Sequence, residues 1–191
     1  RYSCETFSDK LLRSPSVNKG KITKADNIDV CDALLSAGMV PQILLILGLP
    51  ESSVDDLLTT MKISADFILK GAQVGVTSLL FADQGSPLTE SGIYPHTFRE
   101  WINPYTGDIV KMNGVILPKD PFLRDVFEKI DEKANQEIER MRKDTPWGTG
   151  ILPKFFVALA TFIAYAKLLN SQEMVTYFAD VFQKRCVVED L

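Results

Sequence analysis

The stretch Val40-Pro41-Gln42-Ile43-Leu44-Leu45-Ile46-Leu47-Gly48-Leu49-Pro50-Glu51-Ser52-Ser53 decides how the fold is read. Val40 to Leu47 is apolar apart from Pro41 and Gln42, the pattern of a strand buried on both faces in a parallel sheet. Gly48-Leu49-Pro50 ends it. Ser53 then reads as a helix N-cap with Asp56 completing a variant of the capping box. Val54, Leu57, Leu58, Met61, Ala65 and Ile68 form the stripe of a long helix that ends near Gly71.

The same alternation continues on both sides. Upstream, residues 1–7 form a short β-prone run, Ser8 to Arg13 allow one helical turn, and Ser14 to Gly20 are a loop. Asp26 to Ala37 has helical spacing, with Ile28, Cys31, Leu34 and Leu35 on one side and Gly38 as a left-handed stop. Downstream, Val74 to Phe81 is a third strand running into the turn Gln84-Gly85-Ser86-Pro87. Strand, helix, strand, helix, strand is the order of β/α units in a parallel sheet. The expected fold class is therefore α/β, a partial (β/α) TIM-type barrel of about three parallel β/α units, with a C-terminal helical extension. Three strands do not close a barrel, so partner strands are expected before Arg1.

The expected organisation has three parts. Residues 1–91 are the barrel half. Residues 92–118, with Pro95, Pro104, Pro118, Gly107 and Gly114, read as a long irregular loop with a hairpin at Thr106-Gly107-Asp108. Residues 119–191 read as helices: one marked by Phe122, Val126, Ile130, Ala134, Ile138 and Met141, then two more over about 154–169 and 171–185 after the linker Asp144 to Gly150.

Composition narrows the function classes. The 191 residues are 46% apolar and 24% charged with a formal net charge of −4, so no global positive field advertises nucleic acid. The apolar run Phe155 to Leu169 contains Lys167 and is shorter than the roughly 20 residues of a membrane span. No signal-peptide pattern opens the chain. Cys4, Cys31 and Cys186 lack the close spacing of metal ligands, and an odd count without a secretory signal points to reduced thiols and a cytoplasmic setting. His96 is the sole histidine and no Cys lies near it in the sequence, so a His-based or metal-dependent hydrolase is not expected.

The sharpest chemical signal is the strand-end turn. A glycine where a barrel strand ends lets a flat ligand lie against backbone, and ligands in this architecture gather at strand C-termini. Glu5 is an acid inside an apolar strand, costly there unless paired. The order of short stretches adds specificity: Glu5-Thr6-Phe7-Ser8-Asp9-Lys10-Leu11-Leu12, Asn18-Lys19-Gly20, Ala37-Gly38-Met39, Gly48-Leu49-Pro50-Glu51 and Gln84-Gly85-Ser86-Pro87-Leu88.

Over about residues 1–90 this series resembles the radical S-adenosylmethionine (radical SAM) enzymes, especially their B12-binding and methylthiotransferase-like class. The resemblance implies an S-adenosylmethionine site in which Glu5 holds the ribose or amino group and Lys19 reaches the methionine carboxylate. Ile46 and Gly48 would border the adenine, and Glu51 would complete the cofactor-binding set. It also implies a 4Fe-4S cluster, an electron donor such as ferredoxin or flavodoxin and a small-molecule substrate, with cobalamin added for members of the B12-binding class. The Cys-x3-Cys-x2-Cys triad that keeps one iron open for the cofactor is absent, so its place is expected upstream, and these residues alone cannot cleave the cofactor reductively. Leu44 stands where some members carry a polar residue. Trp101, Tyr105 and Trp147 are candidates for a substrate cavity. Two alternatives stay open: a non-radical β/α-barrel enzyme acting on a phosphorylated metabolite, for which no glycine-rich phosphate loop stands out, and a helical interaction module on a barrel scaffold.

Overall fold

A computed structural model describes residues 1–83, 85–102, 106–143, 145 and 151–189. The first half runs β1 (Tyr2–Glu5), α1 (Asp9–Leu12), α2 (Lys24–Ser36), β2 (Gln42–Gly48), α3 (Val54–Leu69) and β3 (Gln73–Ala82). The second runs α4 (Pro87–Glu90), β4 (His96–Ile102), β5 (Ile109–Ile116), α5 (Pro121–Arg142), α6 (Lys154–Leu168) and α7 (Gln172–Glu189). The strands form one open sheet in the order β1-β2-β3-β5-β4. β1, β2 and β3 are parallel, while β5 is antiparallel to both β3 and β4. The strand order establishes a mixed α/β architecture whose first three strands are parallel.

Local chemistry explains the boundaries. Both long early helices begin at full capping boxes. Ser53 accepts from the Asp56 N–H while Asp56 accepts from the Ser53 N–H, as the sequence predicts. The second box, Thr23 with Asp26, starts α2 at Lys24, earlier than the apolar spacing alone suggested. The predicted face of α2 is the inner one: Cys31 is buried, Ile28, Leu34 and Leu35 are half-buried, and Ile28 and Leu35 pack on the core. Asn27, which the apolar spacing did not include, is buried as well, where it accepts from the Tyr2 hydroxyl and donates to the Thr6 carbonyl.

Two further expectations are corrected. β2 is not buried on both faces: Ile43, Leu45 and Leu47 are buried, whereas Leu44 and Ile46 between them are only half-buried. The helices cover the first set, α3 and α6 packing on β3 and α3 on β2. The segment 92–118 is not an irregular loop but holds the hairpin β4–β5, which widens the sheet. Pro95 and Pro118 flank the strands instead of interrupting them, and the turn falls at Thr106 to Asp108 as predicted, with Gly107 at φ +74°. The linker Asp144 to Gly150 lies outside the described residues apart from Thr145.

The main core joins sheet and helices. Phe156, Phe162, Tyr165 and Phe178 are fully buried together with Ile43, Leu45 and Leu47. Phe156 meets Phe182 edge-on with ring centroids 5.2 Å apart, and Phe127 meets Tyr165 at 5.4 Å. No helix among the described residues is long and apolar enough to cross a membrane.

Two carboxylates give this packing a pH dependence. Asp56 accepts from the hydroxyls of Ser53 and Ser8, each at 2.6 Å, and from Lys10. Glu137, its side chain only 6% exposed, accepts from Arg140 and from Lys167, so it ties α5 to α6. Burial alone would raise both, but these donors outweigh it and hold each carboxyl below its usual value. A folded pKa below the unfolded one means stability fully present above the unfolded value and lost as pH falls through the folded one. The thermal midpoint should therefore stay level from neutrality to about pH 5 and decline below about pH 4. The double variant Asp56→Asn, Glu137→Gln should have a shallower acid slope, and an unchanged slope would show that other groups carry it.

Candidate functional site

β1 ends in an unusual way. The register between β1 and β2 slips between Ser3 and Glu5, and Glu5 adopts φ +66°, the left-handed region that non-glycine residues rarely enter. The chain then winds through α1, capped by Ser8, into a tight loop. In that loop the Ser14 hydroxyl donates to the Leu11 carbonyl, the Asn18 N–H to the Ser14 carbonyl and the Lys19 N–H to the Leu12 carbonyl. Asn18 is also left-handed, at φ +52°. This winding carries the Lys19 side chain back over the end of β1. Its ammonium donates to the Ser3 carbonyl and lies 3.1 Å from the Glu5 carboxylate.

Glu5 and Lys19, 14 residues apart in the chain, are thus brought together, with side chains 21% and 27% exposed. Ile46 stands close by on β2, next to Leu45, the register partner of Glu5, and opposite Thr77 of β3. It lies on the half-buried face that the helices leave open.

Gly48 ends β2 at the same end of the sheet, but its open side is already filled. A Cβ there would sit 2.2 Å from the Ser78 carbonyl oxygen and 3.1 Å from the Phe127 ring. The glycine is required by the close approach of β3 and α5, whatever else it borders. Glu51 is bonded to residues other than Glu5 and Lys19. One carboxylate oxygen accepts from Ser16 at 2.6 Å and the other from the Tyr94 hydroxyl at 2.5 Å. Burial, and then the hydrogen bond to Glu51 and its charge, push the Tyr94 phenol up to about 12. The Lys119 ammonium stands 4.7 Å over the Tyr94 ring, and the Lys119 backbone N–H donates to the Pro50 carbonyl at 2.9 Å. Four loops are therefore tied around Glu51.

Ser16, Tyr94 and Lys119 escaped the sequence reading because nothing local links them to Glu51; only the tertiary fold does. His96 opens β4, with its Nδ1 3.0 Å from the Tyr94 carbonyl. Trp101 as a side chain, Tyr105 and Trp147 lie outside what the structure describes.

No family model, curated protein or solved structure matches the chain. Its chemistry has to be read from the residues themselves. Their fit to an iron–sulfur cluster is poor. Cys4 and Cys31 are buried in the main core, where the Cys4 thiol donates to the Thr6 carbonyl, and they lack the close spacing of cluster ligands. Among the described residues no group of three His, Cys, Asp or Glu side chains converges. An ammonium beside a carboxylate suits a different ligand. Lys19 offers a partner to a carboxylate and Glu5 offers one to an ammonium, the two ends of an amino-acid head group.

Proposed function

We propose that this chain is the S-adenosylmethionine-binding portion of a radical SAM enzyme, with the 4Fe-4S cluster held by residues other than these 191. The observation that carries the reading is the Glu5–Lys19 pair at the end of β1. Lys19 would take the methionine carboxylate and Glu5 the ammonium, while Ile46 offers an apolar surface to the adenine. When bound, S-adenosylmethionine supplies the 5′-deoxyadenosyl group of that enzyme class. The residues of this chain bind and orient it.

Magnitudes support a binding role over a purely stabilising one. A partly exposed ion pair contributes at most about 1 kcal/mol. The left-handed backbone at Glu5 costs about 1–2 kcal/mol, so the pair does not offset the geometry that makes it. Strain of that kind is characteristic of functional sites.

The parallel run β1-α2-β2-α3-β3, with Leu44 and Ile46 half-buried on the face the helices do not cover, supports reading the first half as part of a (β/α) barrel. The open face would then be the barrel interior and the ends of β1 and β2 its mouth.

Titration calorimetry with S-adenosylmethionine tests the assignment. Lys19→Met and Glu5→Gln should each weaken binding by about tenfold, the scale of a lost charge-assisted hydrogen bond. Each should leave the far-ultraviolet circular dichroism unchanged. Absence of binding by the unmodified chain at millimolar ligand, or equal affinity in both variants, would remove the cofactor role from this pair.

A further inference from the structure

β3 runs from Gln73 to Ala82, yet β5 pairs only with Leu80, Phe81 and Ala82. From Gln73 to Leu79 the strand pairs with β2 along one edge, and no described strand pairs with the other. No turn or loop hydrogen bond among the described residues reaches the backbone of Val74 to Leu79 either. Alternate residues of a parallel strand direct their N–H and C=O groups to opposite sides, so about half the main-chain polar groups here face outward without a ladder.

The helices beside this edge do not close on it. A cavity of about 570 Å3 separates Val74, Val76 and Ser78 from Ala134 of α5 and from Val157 and Ala158 of α6. Asp131 and Lys154 are the charged residues of its described lining, and they cancel. β5 ends at Ile116, and the chain beyond it runs to the turn after β2, where the Lys119 backbone N–H donates to the Pro50 carbonyl at 2.9 Å.

We propose that this slot binds an extended, uncharged peptide segment that adds to β3 as a further strand. Main-chain groups in a row are met by another main chain, whereas a compact small molecule would leave most of them without partners. Its walls alternate aliphatic groups such as Val76 and Val157 with the uncharged polar groups of Ser78, Asn135 and Thr161, and they suit valine and threonine side chains. A charged segment would lose solvation and find no net countercharge. At about 3.3 Å per residue, Val74 to Leu79 spans about 20 Å and takes about six residues of added chain. The slot lies along the flank of β3, away from Glu5 and Lys19, so it stands independently of the cofactor reading.

Hydrogen exchange read by mass spectrometry tests it, with the 191-residue chain and the capped peptide acetyl-Ser-Val-Thr-Val-Thr-Val-Ser-amide. Saturating peptide should slow exchange across residues 74–79 by about tenfold. Two further peptides, N-methylated at every valine or at every threonine, each lose one hydrogen-bonding edge. At least one of them should fail to protect; protection by both would show apolar filling of the cavity and overturn the proposal. Ala134→Phe, which fills the slot from α5, should weaken the peptide by about tenfold if it folds, and unchanged affinity counts against strand addition. Absence of protection at millimolar peptide overturns it, as does protection that rises with protein concentration alone, which would assign the edge to a second copy of the chain.

Discussion

Replacing Gly48 by alanine should destabilise the protein by about 3 kcal/mol, the upper range for forcing atoms into packed space. The added methyl would meet the Ser78 carbonyl oxygen at 2.2 Å, and its other neighbours are Leu79 and Phe127. A backbone oxygen inside a parallel ladder cannot swing away as a side-chain tip can, so β2 and β3 must separate or α5 must lift. For a chain of this length the thermal midpoint should fall by about 6–12 °C. Gly20→Ala is the control: its Cβ would meet nothing within 4 Å, and its midpoint should hardly move. An unchanged midpoint for Gly48→Ala would show that this glycine does not serve the approach of β2, β3 and α5.

Phe162→Ala should cost about 4 kcal/mol, the scale of emptying a fully buried aromatic site. Phe162 has no exposed surface and packs against Phe178 with centroids 5.4 Å apart, linking α6 to α7. α6 in turn lies on β3, and α7 packs on α3. Loss of the ring should therefore weaken the sheet together with the helices, in one cooperative transition. Hydrogen exchange separates this from the picture of residues 119–191 as a separable interaction module. If Val74 and Leu45 keep their protection while α6 and α7 lose theirs, the helices are a module after all.

The parts of the fold readable in the sequence were those where one local rule acts alone. Ser53 with Asp56, the stripe of α3 and the left-handed Gly38 and Gly71 follow from capping, periodicity and chirality over a few residues. β4 and β5 were hidden because the prolines near them suggested a loop, whereas Pro95 and Pro118 border the strands. β2 read as buried on both faces because its composition cannot show that Leu44 and Ile46 lack a covering layer. At the candidate site, Glu5 and Lys19 were legible as separate chemical oddities, an acid in an apolar strand and a lysine between Asn18 and Gly20. Their ion pair depends on left-handed backbone at Asn18, a residue type that favours it, and at Glu5, where no propensity forecasts it. The role of Glu51 was least visible, since Ser16 and Tyr94 reach it from 35 and 43 positions away.

That arrangement around Glu51 has a mechanical side. One carboxylate fastens the loop after β1 to the turn after β2 and to the approach to β4, while Lys119 pins the exit of β5 to the same spot. The rim therefore moves as a hoop instead of as independent flaps. Force applied at one loop is shared by the others, and a single side chain joins the loop after α1 to the approach to the hairpin. The exposed tip at Thr106, Gly107 and Asp108 lies beyond the hoop. That tip is where the chain can be lengthened or exchanged while the spacing of Glu5 and Lys19 stays as it is.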